Sequence, residues 1–321
     1  MHRMCVYSNG ILHHPTLRGA TIHPMNPNQP PSVAPPDFHP RKPKIQFPPL
    51  ACDSHAHICG PIARYPYYAR RIYTPADTLL PDYEHMLDTL GVQRAALVQG
   101  SIYGSDNTVL LEALKAGRGR YRGVAVVEPD VSDQTLRALH KAGVRGVRMN
   151  IVDTKDNKGV LPMATLLPLA KKIKPYGWHV EFLLHVDEFP DLDKLLEDFP
   201  VDVSFGHLGY MRTEKPIETP GFQALLRLLK TGKAWVKLTA PYRISPNPMP
   251  HADVNAFAHA LVTANARRML WGSDWGHIML NWKIAMPNDG DIADLLGVWV
   301  PDEATRAKIL VDNPAQLYGY D

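Results

Sequence analysis

Short apolar runs recur along the chain at intervals that leave room for one helix between neighbours. From Leu50 onward they cover Leu50 to His55, Arg94 to Gly100, Gly123 to Pro129, Gly146 to Asn150, His179 to His185, Asp202 to His207, Trp235 to Pro241 and Met269 to Asp274. Between them apolar residues return at helical spacing, as at Val109, Leu110, Leu111 and Leu114 within Asp106 to Gly117, and again in Gln134 to Ala142 and Val254 to Ala266. Runs that are apolar on both faces, such as Ala95-Ala96-Leu97-Val98, suit strands covered by helices on one side and by a filled interior on the other. Alternation of this kind calls for parallel βαβ units, and eight of them close a (β/α)8 TIM barrel. Ser132 before Asp133 reads as a helix N-cap, while Gly91, Gly117 and Gly143 stand where helices want a left-handed C-terminal residue.

Residues 1 to 45 break the pattern. Pro24 to Pro49 is more than one third proline, a composition that keeps backbone extended. The division expected is a proline-rich N-terminal arm over 1–45 and one barrel domain over 46–321. His13, His14, His23 and His39 lie in the arm without metal-site spacing and read as solvent-exposed. Across the whole chain of 321 residues, 45% hydrophobic and 21% charged content is ordinary for a globular protein, and a net charge of +3 without a dense basic run offers no footprint for nucleic acid. No apolar stretch reaches membrane-span length and no signal peptide is read, so no membrane partner is expected. Three cysteines, Cys5, Cys52 and Cys59, are too few and odd in number for a disulfide framework, which fits reduced thiols and a cytoplasmic location.

Candidate chemistry collects at the C-terminal ends of the runs: Asp53-Ser-His55-Ala-His57 on the first, His185 after the fifth, His207 after the sixth and Asp274 after the eighth. In a parallel barrel those ends converge on one mouth, where active sites form. Residues two apart on a strand face the same way, so His55 and His57 present two imidazoles together. Alone, a His-X-His is a weak signal. Joined by His185, His207 and Asp274, it supplies groups able to hold a carbonyl, activate a water and move a proton.

The order of landmarks resembles the amidohydrolase superfamily, its amidohydrolase-2 group, and within that group the 2-pyrone-4,6-dicarboxylate lactonases, over roughly Pro48 to Tyr318. The marks are Asp53-Ser-His55-Ala-His57 with Gly60-Pro61, Tyr73-Thr-Pro75, Gln99-Gly-Ser101-Ile-Tyr103, Arg145-Gly-Val-Arg148-Met-Asn150, Gly206-His207-Leu-Gly209, Pro241-Tyr-Arg243, Trp271-Gly-Ser-Asp274-Trp-Gly-His277 and Asn313-Pro314. The resemblance implies that Asp274 is the base activating water, that His55, His57 and His207 line the reacting carbonyl, that Arg148 and Arg243 hold substrate carboxylates, and that Tyr73, Ser101 and Tyr103 contact the substrate. Two positions depart from it. A second arginine expected near Thr154 is absent, with Lys155 beside it, and a tyrosine expected on the fifth strand falls at Leu183. The reaction type therefore transfers, and the substrate is expected to differ.

Metal chemistry divides in the same way. The fourth run ends Arg148-Met149-Asn150 and lacks the lysine with which two-metal members bridge their ions, which argues against a dinuclear centre. A single zinc-like divalent ion on His55, His57, His185 and Asp274 has suitable ligand types, and resemblance to lactonases that work without metal leaves the metal-free case open beside it. His277 reads either as a support of Asp274 or as a structural loop residue, Lys237 as an inward charge or the partner of a carboxylate below the site, and Trp271, Trp275 and Trp282 as core packing before substrate stacking.

The expected function is a hydrolase opening a carboxylated lactone, with aromatic-compound degradation as the setting. Its partners would be that small molecule and, in a homo-oligomer, further copies of the chain. Two alternatives stand beside it: a metal-dependent decarboxylase of an aromatic or related acid on the same barrel, favoured by His185, and an inert binding barrel.

Overall fold

Eight strands form where the apolar runs place them, most of them ending before the run does: β1 Cys52–Ala56, β2 Arg94–Val98, β3 Tyr121–Ala125, β4 Val144–Asn150, β5 His179–Leu183, β6 Val203–Phe205, β7 Ala234–Leu238 and β8 Met269–Trp271. This computed structural model describes residues 30–152, 159–278 and 285–320. Cys5, His13, His14, His23, Thr154, Lys155 and Trp282 lie outside the described residues. The strands pair in parallel in strict sequence order, and the (β/α)8 barrel follows. Connecting them are α1 Leu80–Leu90, α2 Thr108–Ala116, α3 Asp133–Lys141, α4 Met163–Ile173, α5 Leu192–Leu196, α6 Pro220–Lys230, α7 Asn255–Asn265 and, after β8, α8 Asp289–Trp299. No described helix is long and apolar enough to cross a membrane.

The helix ends follow the expected chemistry with one exception. Ser132 caps α3 by accepting from Thr135 N at 3.1 Å, and Gly91 ends α1 in the left-handed region. Gly117, expected to be left-handed as well, is right-handed. Its glycine serves a different need, since a Cβ there would lie 2.1 Å from the Tyr121 ring.

Closure of the barrel rests on Asp53. Its carboxylate accepts from His55 N and Ser273 N through Oδ1, and from Tyr83 OH and Ser273 Oγ through Oδ2, at 3.0, 2.9, 3.0 and 2.5 Å. Ser273 belongs to the segment that leaves β8, so a side chain of the first strand holds the last. Two backbone bonds complete the seam, Asp274 N to His55 O at 2.8 Å and His57 N to Trp275 O at 3.1 Å. The sequence motif that reads as catalytic is thus half structural.

The proline-rich segment is not a free arm where it is described. Residues 30–49 run along the barrel as a strap. Val33 N donates to Thr74 O at 2.9 Å, Arg41 N to Asn288 Oδ1 at 2.9 Å, and Lys44 N to Asp294 Oδ1 at 2.6 Å. Arg41 also pairs with Asp291. Two aromatic side chains anchor it, Phe47 against Trp271 at 5.0 Å between ring centroids and Phe38 against Trp275 at 6.2 Å. The close approach depends on Gly290 of α8, where a Cβ would stand 2.2 Å from Arg41 O. The expected boundary at residue 45 therefore falls inside packed structure, because proline supplies extension while the phenylalanines and the N–H groups between the prolines supply contacts.

Removal of residues 1–49 is accordingly expected to destabilise the barrel by about 2–4 kcal/mol, the order of burying one or two aromatic side chains with their hydrogen bonds. Urea denaturation of the truncated protein measures this, and an unchanged midpoint would make the strap a tail.

Candidate active site

The strands that stop early hand their last functional residues to short turns, which aim them over the barrel mouth. His207 and Asp274 follow β6 and β8 with φ of 51° and 61°. Left-handed backbone at a non-glycine residue costs of order 1–3 kcal/mol and persists where surrounding contacts enforce it, as at functional sites. His55 lies on β1, and His57 just beyond it. The rings of His55 and His57 stand at 5.0 Å, those of His55 and His207 at 4.9 Å.

Asp274 is the hub. Its Oδ2 accepts from Tyr242 OH at 2.7 Å and from Arg243 Nε at 2.8 Å. Its Oδ1 is buried without a hydrogen-bond partner and faces His55 Nε2 at 3.6 Å and His57 Nε2 at 3.7 Å. One oxygen is fastened and the other is presented to the imidazoles. Burial opposes ionisation of this carboxyl, yet nearby positive charge, the Arg243 guanidinium first, holds the group far below the usual carboxylate range.

Each imidazole is oriented from behind. His57 Nδ1 donates to Val98 O at 2.8 Å, which leaves Nε2 with its lone pair towards Asp274. His55 Nδ1 lies 3.2 Å from Lys237 Nζ and 3.3 Å from Glu181 Oε1. Lys237 and Glu181 form a fully buried ion pair at 2.5 Å beneath the site. Burial is the main cause that lowers the proton affinity of all three histidines. Against His55 the Lys237 charge adds to it, and against His57 the neighbouring His55 and Arg148 do. The cluster is a set of neutral imidazoles facing an ionised carboxylate.

Among the substrate-contact candidates, Arg148 is nearly buried and donates Nη1 to Gln99 O at 2.7 Å. Arg243 spends Nε on Asp274 and Nη2 on Ile278 O, the latter at 2.5 Å. Both guanidinium groups retain N–H donors without a partner among the described residues. Tyr73 OH and Ser101 Oγ meet at 3.3 Å. The hydroxyl of Tyr103 is taken by Gly60 N at 2.8 Å, and its ring packs on Tyr67 at 5.4 Å, so its described contacts hold the Gly60 corner and do not join it to the histidines. Trp271 and Trp275 are fully buried and serve the packing against the strap.

His185 corrects the expected ligand set. The group whose ligand atoms all lie within 4.8 Å of one another is His55, His57 and Asp274. Because β5 stops at Leu183, His185 sits beyond the strand, where its Nδ1 donates to Tyr210 O at 3.0 Å and its ring lines a separate cavity of about 160 Å³ with Leu184, Phe189 and Arg212. The remaining three suit a single divalent ion on grounds visible in the structure: His55 Nε2 and Asp274 Oδ1 are buried and unpartnered, and His57 Nε2 carries a free lone pair. Neither neighbouring thiol competes, since burial pushes both Cys52 and Cys59 up to about 12.

Sequence reasoning passed over Glu181 and left Lys237 undecided. A signal existed: each is a lone charge inside an apolar strand, in His-Val-Glu-Phe-Leu and Ala-Trp-Val-Lys-Leu, and opposite charges buried at matching depth seek each other. Tyr242 and Asp289 had no such mark.

The comparisons agree with this outline. The family model described as amidohydrolase matches residues 52–320. A 4-sulfomuconolactone hydrolase of Hydrogenophaga intermedia is 33% identical over 284 residues, covering 88% of this chain and 93% of its own length. A 2-pyrone-4,6-dicarboxylate hydrolase of Comamonas testosteroni is 34% identical over 289 residues, covering 87% and 93%. A crystal structure from Pseudomonas putida, described provisionally as a 2-pyrone-4,6-dicarboxylic acid hydrolase, superposes with a TM-score of 0.73 at 32% identity, covering 85% of this chain and 98% of that one.

The buried neutral histidines make stability depend on pH. His55, His57 and His207 bind protons less readily folded than unfolded, as does His179, which burial lowers to about 4. Their contribution is whole above the unfolded value of about 6.5 and is lost as pH falls below it, each at about 1.4 kcal/mol per pH unit. Asp53, pushed up to about 6 by burial, and Asp77, raised by burial as well, act in the opposite sense below about pH 6, against these four histidines and against His140 and His251, which burial also lowers. The melting temperature is thus expected to fall steadily from about pH 7 to about pH 5. A flat profile would mean that these imidazoles are charged in the folded protein.

Proposed function

The chain belongs to the amidohydrolase family, and on that footing we propose that it is a hydrolase opening a lactone that carries a carboxylate. The observation that carries this reading is the divided carboxylate of Asp274, with Oδ2 tied to Tyr242 and Arg243 and Oδ1 bare before the imidazoles. Hydrolysis needs such an oxygen to take a proton from water as it attacks. The relatives named for lactone hydrolysis, one on a sulfonated and one on a dicarboxylated compound, support an anionic cyclic ester as substrate.

The roles follow from the hydrogen positions. His57 Nε2 is an acceptor, because the ring's one proton sits on Nδ1 and is donated to Val98 O, so this ring holds the attacking water and cannot donate to a carbonyl. Donation to the developing oxyanion falls to His207, and to His55 when its Nδ1 accepts from Lys237. Asp274 Oδ1 takes the water's proton. The unspent N–H groups of Arg148 and Arg243 anchor the carboxylate, and the Tyr73–Ser101 pair lines the approach. A single zinc-like ion, if bound, would be held by His55, His57 and Asp274 and would supply carbonyl polarisation and a more acidic water. The metal-dependent decarboxylase loses the feature that favoured it, since His185 stands outside the ligand group.

Asp274→Asn is expected to fold normally and to lose more than a hundredfold in kcat, the usual minimum for a general base. Retention of a tenth of the native rate would remove Asp274 from that role.

Leu183, buried and apolar at the end of β5, argues for a substrate with one carboxylate and an apolar or hydroxylated flank. Side-by-side kinetics should favour such a lactone over 2-pyrone-4,6-dicarboxylate by about a hundredfold in kcat/KM, the cost of desolvating one unpaired carboxylate. Efficient hydrolysis of the dicarboxylate would show that another basic group completes the clamp.

A further inference from the structure

Behind Asp274 runs a buried file of polar side chains that the chemistry above does not use. Tyr242 OH, which donates to Asp274 Oδ2, also meets His277 Nδ1 at 2.6 Å. His277 Nε2 faces Asp289 Oδ1 at 3.3 Å. All four residues are at most 2% exposed. They come from different parts of the chain: Tyr242 from the turn after β7, Asp274 and His277 from the turn after β8, and Asp289 from the first turn of α8.

A tyrosine hydroxyl has one proton to give. Spent on Asp274, it obliges the contact with His277 to run from Nδ1–H to the phenol oxygen. The phenol is therefore gripped from one side and directed to the other, and it cannot turn away without leaving His277 Nδ1 unpaired in a buried space and Asp274 Oδ2 with Arg243 alone. Asp289 lies beside the ring, with Oδ1 3.3 Å from Nε2 and no hydrogen bond between them, and its own place is set by α8, whose N-cap Asn288 is clamped by the strap through Asp37 Oδ2 at 2.8 Å and His39 O at 3.0 Å. The backbone agrees, since His277 N donates to Asp274 O at 2.8 Å and keeps the two residues in one tight turn.

Resting on the reading of Asp274 as the base, the geometry points to Tyr242 as a positioning residue that, held by His277, decides which oxygen of Asp274 meets the water. A carboxylate turning about its Cβ–Cγ bond would exchange its oxygens and swing both off line. The bond from Tyr242 together with the Arg243 pair fixes Oδ2, so Oδ1 stays on the imidazole side. His277, open in the sequence between support of Asp274 and structure, supports it through the phenol.

Tyr242→Phe, His277→Gln and Asp274→Asn, assayed beside the native enzyme on one lactone, test this. Tyr242→Phe is expected to lower kcat on the order of a hundredfold, as misplacement of a reacting group does, with KM within about twofold. His277→Gln should lower it in the same direction. The double variant should lose no more than the worse single one, because both changes cut one file. A crystal structure of Tyr242→Phe should show Oδ1 displaced from its place before His55 and His57. Full kcat in Tyr242→Phe while Asp274→Asn is inactive, an unmoved carboxylate, or multiplying losses in the double variant would each overturn the proposal. If Tyr242→Phe does not fold, His277→Gln decides by the same split and the same carboxylate position. Retained rate in Asp274→Asn instead overturns the reading of the base, and the crystallographic arm still reports on the positioning.

Discussion

Asp53 joins the first strand to the last, and the site exists because it does. A parallel barrel gains its mouth only when the sheet closes, and here one buried carboxylate gathers donors from β1, from α1 and from the segment after β8. Its Oδ1 is shared by His55 N and Ser273 N, so the residue that places the first catalytic imidazole also places the chain immediately before Asp274. Histidine and aspartate are brought face to face by the same bonds that close the barrel. The carboxyl is fully buried there, and burial raises it to about 6 despite those four bonds.

The charges of the interior are arranged in depth. Lys237 and Glu181 neutralise each other under the histidines, and Arg243 and Asp274 do so above them. Between the pairs lie imidazoles that burial keeps neutral. A buried ion pair is poor evidence of net stability, because desolvation offsets its attraction. Its use here is orientation. Glu181 and Lys237 hold His55 by Nδ1, and Arg243 with Tyr242 holds Asp274 by Oδ2, so the two bare atoms, His55 Nε2 and Asp274 Oδ1, are left pointing at each other across the place where water and carbonyl must meet.

The strap extends this order outward. Prolines keep residues 30–49 extended, Gly290 lets the backbone come close to α8, and Asn288 and Asp294 accept its N–H groups. Phe38 and Phe47 cover the tryptophans on either side of Asp274 in sequence, Trp275 and Trp271. The segment with the least regular composition thereby seals the turn that carries the most constrained residue.

What the sequence determined by itself was periodic and local. Strand order, the barrel, the shared face of His55 and His57, and the convergence of His207 and Asp274 at one end all follow from alternation and chain direction. The misreadings share a cause. His185 reads as part of the cluster because its apolar run continues to residue 185, whereas β5 ends at Leu183 and the turn after it sends the ring to Tyr210 O. Residues 30–45 read as a tail because extended backbone and free backbone look alike in composition. Asp53 marks the motif in the sequence without a role of its own. Only the tertiary structure decided that Glu181 meets Lys237, that Tyr242 and His277 stand behind Asp274, and that Asp53 is the clasp. Those pairings join residues distant in the chain and depend on where each strand stops and how its turn is aimed, and neither is set by the residues within one period of the pattern.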